Sequence, residues 1–135
     1  MDKNIKKGIQ LLEEHIGQGR AAQKGDSVVY NIRAYLNKGD EVLINDARDR
    51  ERWPDNAFTK ENDYEYINFQ CILGRRQAVA AVEYALYGMK KGGYRKIKAS
   101  PHLAYGKEGI PGKIPENAVI IFEIWIRDLF EYKKY

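Results

Sequence analysis

One cysteine, two histidines and four prolines are all that the 135 residues offer of the types that build disulfide frameworks, metal clusters and proline-rich linkers. A lone Cys71 excludes an internal disulfide, and with His15 and His102 as the only imidazoles a cysteine- or histidine-based zinc site lacks ligands. Cys71 sits in the apolar run Ile-Asn-Phe-Gln-Cys-Ile-Leu with no histidine close by in sequence, so it reads as a small buried hydrophobe rather than a nucleophile. Long apolar runs are also missing. The longest stretch without a charged side chain is Tyr66 to Gly74, against the roughly 20 residues a spanning helix needs. The N-terminal Met-Asp-Lys-Asn-Ile-Lys-Lys lacks an apolar run ending at a small-residue cleavage site, so no secretory signal is read and the cytoplasm is the expected location. Neither repeats nor low-complexity tracts appear, and a single domain over 1–135 is expected.

What is present is an ordinary globular composition, 44% hydrophobic and 31% charged, with a net charge of +4 that is unevenly placed. Residues 1–39 carry +3, 40–65 carry −5, 66–98 carry +6 and 99–135 balance to 0. Arg75, Arg76, Lys90, Lys91, Arg95, Lys96 and Lys98 make up the third segment's positive charge and could form one basic face. No groove-reading helix motif or RNP-type aromatic sequence accompanies them, so a solvated face is expected and a nucleic-acid partner is not.

Residues 3–16 are ambiguous, because Ile5, Ile9, Leu12 and Ile16 have helical spacing while Ile9 and Leu11 alternate. Ser27–Leu36 is rich in β-branched and aromatic residues between glycines at 25 and 39, which predicts a strand. Asp40–Tyr66 holds 13 charged residues around Trp53-Pro54 and reads as a long irregular excursion after a short strand at Glu41–Ile44. Its carboxylates Asp46, Asp49 and Glu51 lack the turn glycine and spacing of a calcium loop. A second strand is predicted over Tyr66–Leu73. Ala78, Val79, Val82 and Leu86 then place an apolar stripe on one short helix ended by Gly88. Tyr94–Ala99 and Val119–Leu129 complete the strands, the last with Ile120, Phe122, Ile124 and Ile126 on one face. This order implies an α+β domain, an antiparallel sheet wrapped over a helix.

The most specific text is Ser100–Ile124. Ser100, Pro101, Ala104, Tyr105, Gly106, Gly109, Pro111, Ile114, Pro115, Ala118 and Phe122 stand there in an order that resembles the FKBP-type peptidyl-prolyl cis/trans isomerases. Upstream, Gly17-x-Gly19-Arg20, Leu36, Gly39, Phe69, Leu73, Gly74 and Gly92 extend the likeness over roughly residues 8–130, with a charged insertion at about 45–65. The resemblance implies a five- or six-stranded half-barrel around one short helix, and it turns residues 9–14 into a strand.

By the same resemblance Tyr105 is the catalytic hydroxyl that hydrogen-bonds a substrate carbonyl. Phe69 and Phe122 are implied as aromatic walls, with Ala78, Val79 and Ile114 as apolar lining. Other positions depart from the family. Its strand tyrosine is Ile32, or Asn31 if that strand is shifted by one. Its phenylalanine-aspartate pair is Val42 and Leu43, its tryptophan floor is Val82, and its loop histidine is Ile110. Trp53 of the insertion is a candidate to fill the floor left by Val82. No cofactor, metal or membrane is implied, and the partners would be proline-containing polypeptides. Prolyl isomerisation breaks no bond. It needs a dry pocket that favours a twisted amide over a planar one whose rotation barrier is roughly 18–20 kcal/mol. The sparse histidines and cysteine agree with that chemistry. Two readings therefore stand, a folding-assisting isomerase and a non-catalytic peptide- or protein-binding module of the same fold. Nucleic-acid association through the Arg75–Lys98 face is a third, weaker one.

Overall fold

The structure is a computed structural model, and it describes residues 3–42 and 57–131. In chain order the strands β1 (Lys3–Lys6), β2 (Ile9–His15), β3 (Gln18–Ala21), β4 (Asp26–Leu36) and β5 (Glu41–Val42) come first. β6 (Phe58–Glu61), β7 (Tyr64–Ile67) and β8 (Phe69–Ile72) precede the helix α1 (Ala80–Leu86), and β9 (Lys90–Lys91), β10 (Tyr94–Ala99) and β11 (Ile120–Glu131) follow it.

One antiparallel sheet runs β1-β2-β10-β11-β4, and the far edge of β4 is shared by two short strands. β8 pairs with its first half, Ser27–Tyr30, and β5 with Ala34 and Tyr35. The seven strands thus fill six positions, which agrees with the half-barrel expected. Residues 3–16 are strands, not a helix. Leu12 and Ile16, half of the helical stripe, are 42% and 68% exposed, and the β2–β10 register skips Leu12 as the extra residue of a bulge.

The concave face buries Ile120, Phe122, Ile124 and Ile126 of β11 and Val28, Tyr30, Ile32 and Ala34 of β4, each at alternate positions. Against it α1 lays Ala81, Val82, Ala85 and Leu86. Each large aliphatic side chain removed from water there contributes roughly 1.5–3 kcal/mol. The opposite face of β4 turns Asn31, Arg33 and Tyr35 outward.

Two expectations change here. Part of the charged excursion is a hairpin: β6 and β7 pair antiparallel through Asn62 and Asp63, whose φ values of 50° and 62° suit a two-residue primed turn. The expected single strand over Tyr66–Leu73 is two strands broken at Asn68. The hairpin packs on the outer face of the sheet, where Tyr66 meets Trp125 at 5.0 Å and Tyr94 meets Trp125 at 5.2 Å between ring centroids. Beneath it the wholly buried Asn31 donates to the Ile67 carbonyl at 3.0 Å and to Asn68 Oδ1 at 2.7 Å, while Arg127 Nε donates to Asn31 Oδ1 at 2.7 Å.

The basic segment does not form one face either. Arg95 points away from Lys96 and Lys98. It donates to Glu14 at 2.7 Å and to the Ala85 and Tyr87 carbonyls at 2.8 Å, so it neutralises the end of α1.

Candidate functional site

Tyr105 follows a 3-10 turn over Pro101–Leu103 and is held by backbone bonds of its loop. Gly106 N–H donates to the Pro101 carbonyl at 2.7 Å and Gly109 N–H to the Tyr105 carbonyl at 3.1 Å. Ile110 and Ile114 exchange N–H···O bonds of 2.9 and 2.8 Å and close the next turn. Gly109 has φ 65°, and a Cβ there would collide with the Ile114 and Pro115 carbonyl oxygens. Only glycine lets the chain cross itself at that point. A rigid frame therefore carries the phenol.

The Tyr105 ring is half-buried against the core and lies 6.1 Å from Phe122, tilted by 43°. Its hydroxyl has no hydrogen-bond partner among the described residues, and burial raises its pKa above the ordinary phenol range. It stays protonated at neutral pH and is available as a donor.

Five of the positions implied by resemblance are deep. Phe122 is 0% exposed, Val82 1%, Ile114 3%, Val42 5% and Ile32 6%, all in one apolar cluster. Phe69, Ala78, Val79, Tyr105 and Ile110 are partly buried and packed against the same cluster. Ile32 faces this concave side opposite Ile124, whereas Asn31 faces the hairpin, so the shifted alignment does not place Asn31 on the side of Tyr105 and Phe122. Leu43, like Asp46, Asp49, Glu51 and Trp53, lies outside the described residues.

Tyr30 was not among the expected residues. It is buried on the same face of β4 as Ile32 and stacks on Phe69 with centroids 5.7 Å apart and planes 26° from parallel. Its phenol pKa is raised by burial first, then by the Cys71 thiol and by Tyr105, which puts the two phenols in one neighbourhood. Tyr30 thus places an aromatic ring two residues before Ile32 on the same face of the strand. Strand parity is the signal that marks it, since i and i−2 share a face.

Cys71 is buried and its thiol is pushed up to about 11 by burial, which fits the expected inert role. Among the described residues no three of His, Cys, Asp and Glu gather as metal ligands, and no helix is long and apolar enough to cross a membrane.

Comparison with known proteins adds to this geometry. The sequence profile of the FKBP-type peptidyl-prolyl cis-trans isomerase family matches residues 18–127. The chain belongs to that family. It is 32% identical over 117 residues to FK506-binding protein 1A of Neurospora crassa, covering 86% of this chain and 83% of that one. With FK506-binding protein 4 of Aspergillus fumigatus it is 28% identical over 123 residues, 91% of this chain but about a fifth, 21%, of that longer protein. The N-terminal domain of FKBP42 from Arabidopsis thaliana has the same fold, with a TM-score of 0.69 over 97% of this chain and 93% of that one at 17% identity. The FKBP-type match spans both Tyr30 and Tyr105.

Proposed function

We propose that this FKBP-type domain catalyses cis/trans isomerisation of Xaa-Pro bonds in unfolded or partly folded polypeptides. The observation that carries this reading is the Tyr105 hydroxyl, carried by a hydrogen-bonded loop against the apolar core and without a partner among the described residues. A prolyl ring resting on Phe69, Val79 and Ile110 loses water, and the Tyr105 O–H donates to a carbonyl of the bound segment. A twisted amide has lost resonance and needs less solvation, so a dry cleft favours it over the planar ground state. No proton is transferred and no metal or cofactor enters.

A specific observation favours the second reading, a non-catalytic binding module. Val82 and Ile110 replace the family's aromatic floor and loop histidine and leave less aromatic area around the ring. Turnover separates the two. With a short Ala-Pro peptide and micromolar protein, exchange NMR is expected to show cis-trans cross-peaks faster than the uncatalysed tens to hundreds of seconds. Line broadening from binding with no gain in exchange would leave only the module.

A further inference from the structure

A groove of about 890 Å³ is bounded by α1, Ile5 of β1 and the segment 74–78. Ala78 lines this groove and is also one of the lining positions that the family likeness implies, so the groove adjoins the proposed proline site. Lys24 and Arg76 stand on its walls, and neither has an ion-pair partner among the described residues. Both are placed rather than loose. The Lys24 stem lies on Gly74 so closely that a Cβ there would come within 2.9 Å of Lys24 Cγ, and Arg76 takes a left-handed backbone with φ 54°. A third cation, Lys6, sits 4.0 Å from the centroid of the Tyr84 ring, another wall of the groove. Glu83 is the one acid on the lining. One of its carboxylate oxygens is buried without a hydrogen-bond partner among the described residues, and it makes no ion pair with Lys24 or Arg76.

Two lining cations, Lys24 and Arg76, and Lys6 against the Tyr84 wall, all without ion-pair partners among the described residues, fit an extended polypeptide that carries carboxylates. We propose that this groove is the subsite for the chain flanking the proline, and that Lys24 and Arg76 select segments with acidic side chains there. This rests on the proline cleft proposed above and adds a substrate class to it.

Two labelled hexapeptides test the selection, Glu-Glu-Ala-Pro-Glu-Glu and Gln-Gln-Ala-Pro-Gln-Gln, titrated by fluorescence anisotropy at low ionic strength. The acidic peptide is expected to bind about fivefold tighter, and the ratio to fall toward one with added salt. K24E/R76E should abolish or invert the ratio, while K60E, on the outer hairpin, should keep it. Amide shifts at 74–78 and along α1 should move with the acidic peptide more than with its amide counterpart.

Equal affinities in the wild type, or a preference that survives K24E/R76E, would overturn the subsite and leave the isomerase reading intact. Failure of both peptides to bind would overturn both. Displacement of the acidic peptide by a short single-stranded oligonucleotide at lower concentration would assign the groove to nucleic acid and overturn the peptide proposal.

Discussion

Val82 shows how one position changes what a pocket can accept. It is 1% exposed and packed in the same cluster as Tyr30 and Phe122, so no space for an indole stands ready beneath the cleft. Val82→Trp is expected to destabilise the domain by about 1–3 kcal/mol through overpacking, read as a lower urea midpoint. A gain in stability would mean that the floor is open. Acid sensitivity also belongs to single residues. Asp26 is buried, receives two bonds of 2.7 and 3.0 Å from Arg20 and one of 2.9 Å from the Gln23 N–H, and has a lowered pKa, chiefly through the Arg20 bonds. Glu41 is lowered mainly by Arg33, which it meets at 3.1 Å. A carboxyl held below its unfolded value gives stability that is complete above roughly pH 4 and is lost as pH falls through the lowered value. Thermal midpoints should therefore drop on acidification below about pH 4–5, and less steeply in Asp26→Asn. An unchanged slope in that variant would remove Asp26 from the account.

At the scale of elements, the hairpin β6–β7 is joined to the sheet by a polar network centred on Asn31. Asn31→Ala leaves the Arg127 Nε donor and the Asn68 side chain without that partner and should cost about 1–3 kcal/mol in denaturant unfolding. A cost near zero would show that water replaces the amide. This hairpin is also where the sequence was hardest to read. Lys60, Glu61 and Glu65 made it look like a solvated loop, although Tyr64 and Tyr66 alternate with them and cover the outer face. The turn signal lay in Asn62-Asp63, two residues that tolerate positive φ, without the glycine that usually advertises it. By contrast β11 was legible because its four inward residues alternate without interruption, and the loop around Tyr105 because its glycines and prolines are fixed by chain crossings such as that at Gly109. Tyr30 was missed because the family likeness directs attention to aligned positions, and burial on the same strand face does not need an aligned partner. Arg95 is not legible from charge summed along the segment, because alternation in β10 separates it from Lys96 and Lys98.

As a whole molecule, the chain matches the FKBP-type family over residues 18–127 and spans about a fifth of the Aspergillus relative and most of the Neurospora one. Those relatives are named for binding FK506. Here Val82, Ile110 and Ile32 reduce the aromatic and polar contacts that the family likeness assigns to such a pocket. FK506 is expected to bind about 5- to 150-fold more weakly than to the Neurospora protein, since a tryptophan-to-valine loss alone is worth roughly 1–3 kcal/mol. Calorimetry on both proteins side by side would show it, and equal affinities would mean that Tyr30 fully replaces the missing floor. The central claim is that a neutral phenol at a dry cleft lowers the barrier to amide rotation. Its most direct test is the cis-to-trans exchange rate of an Ala-Pro peptide under wild type and Tyr105→Phe, both folded and at equal concentration. The account predicts catalysed exchange by the wild type and a loss of about 3- to 10-fold on removal of the hydroxyl, as one hydrogen bond is worth about 0.5–1.5 kcal/mol. Identical rates for the two proteins would contradict it.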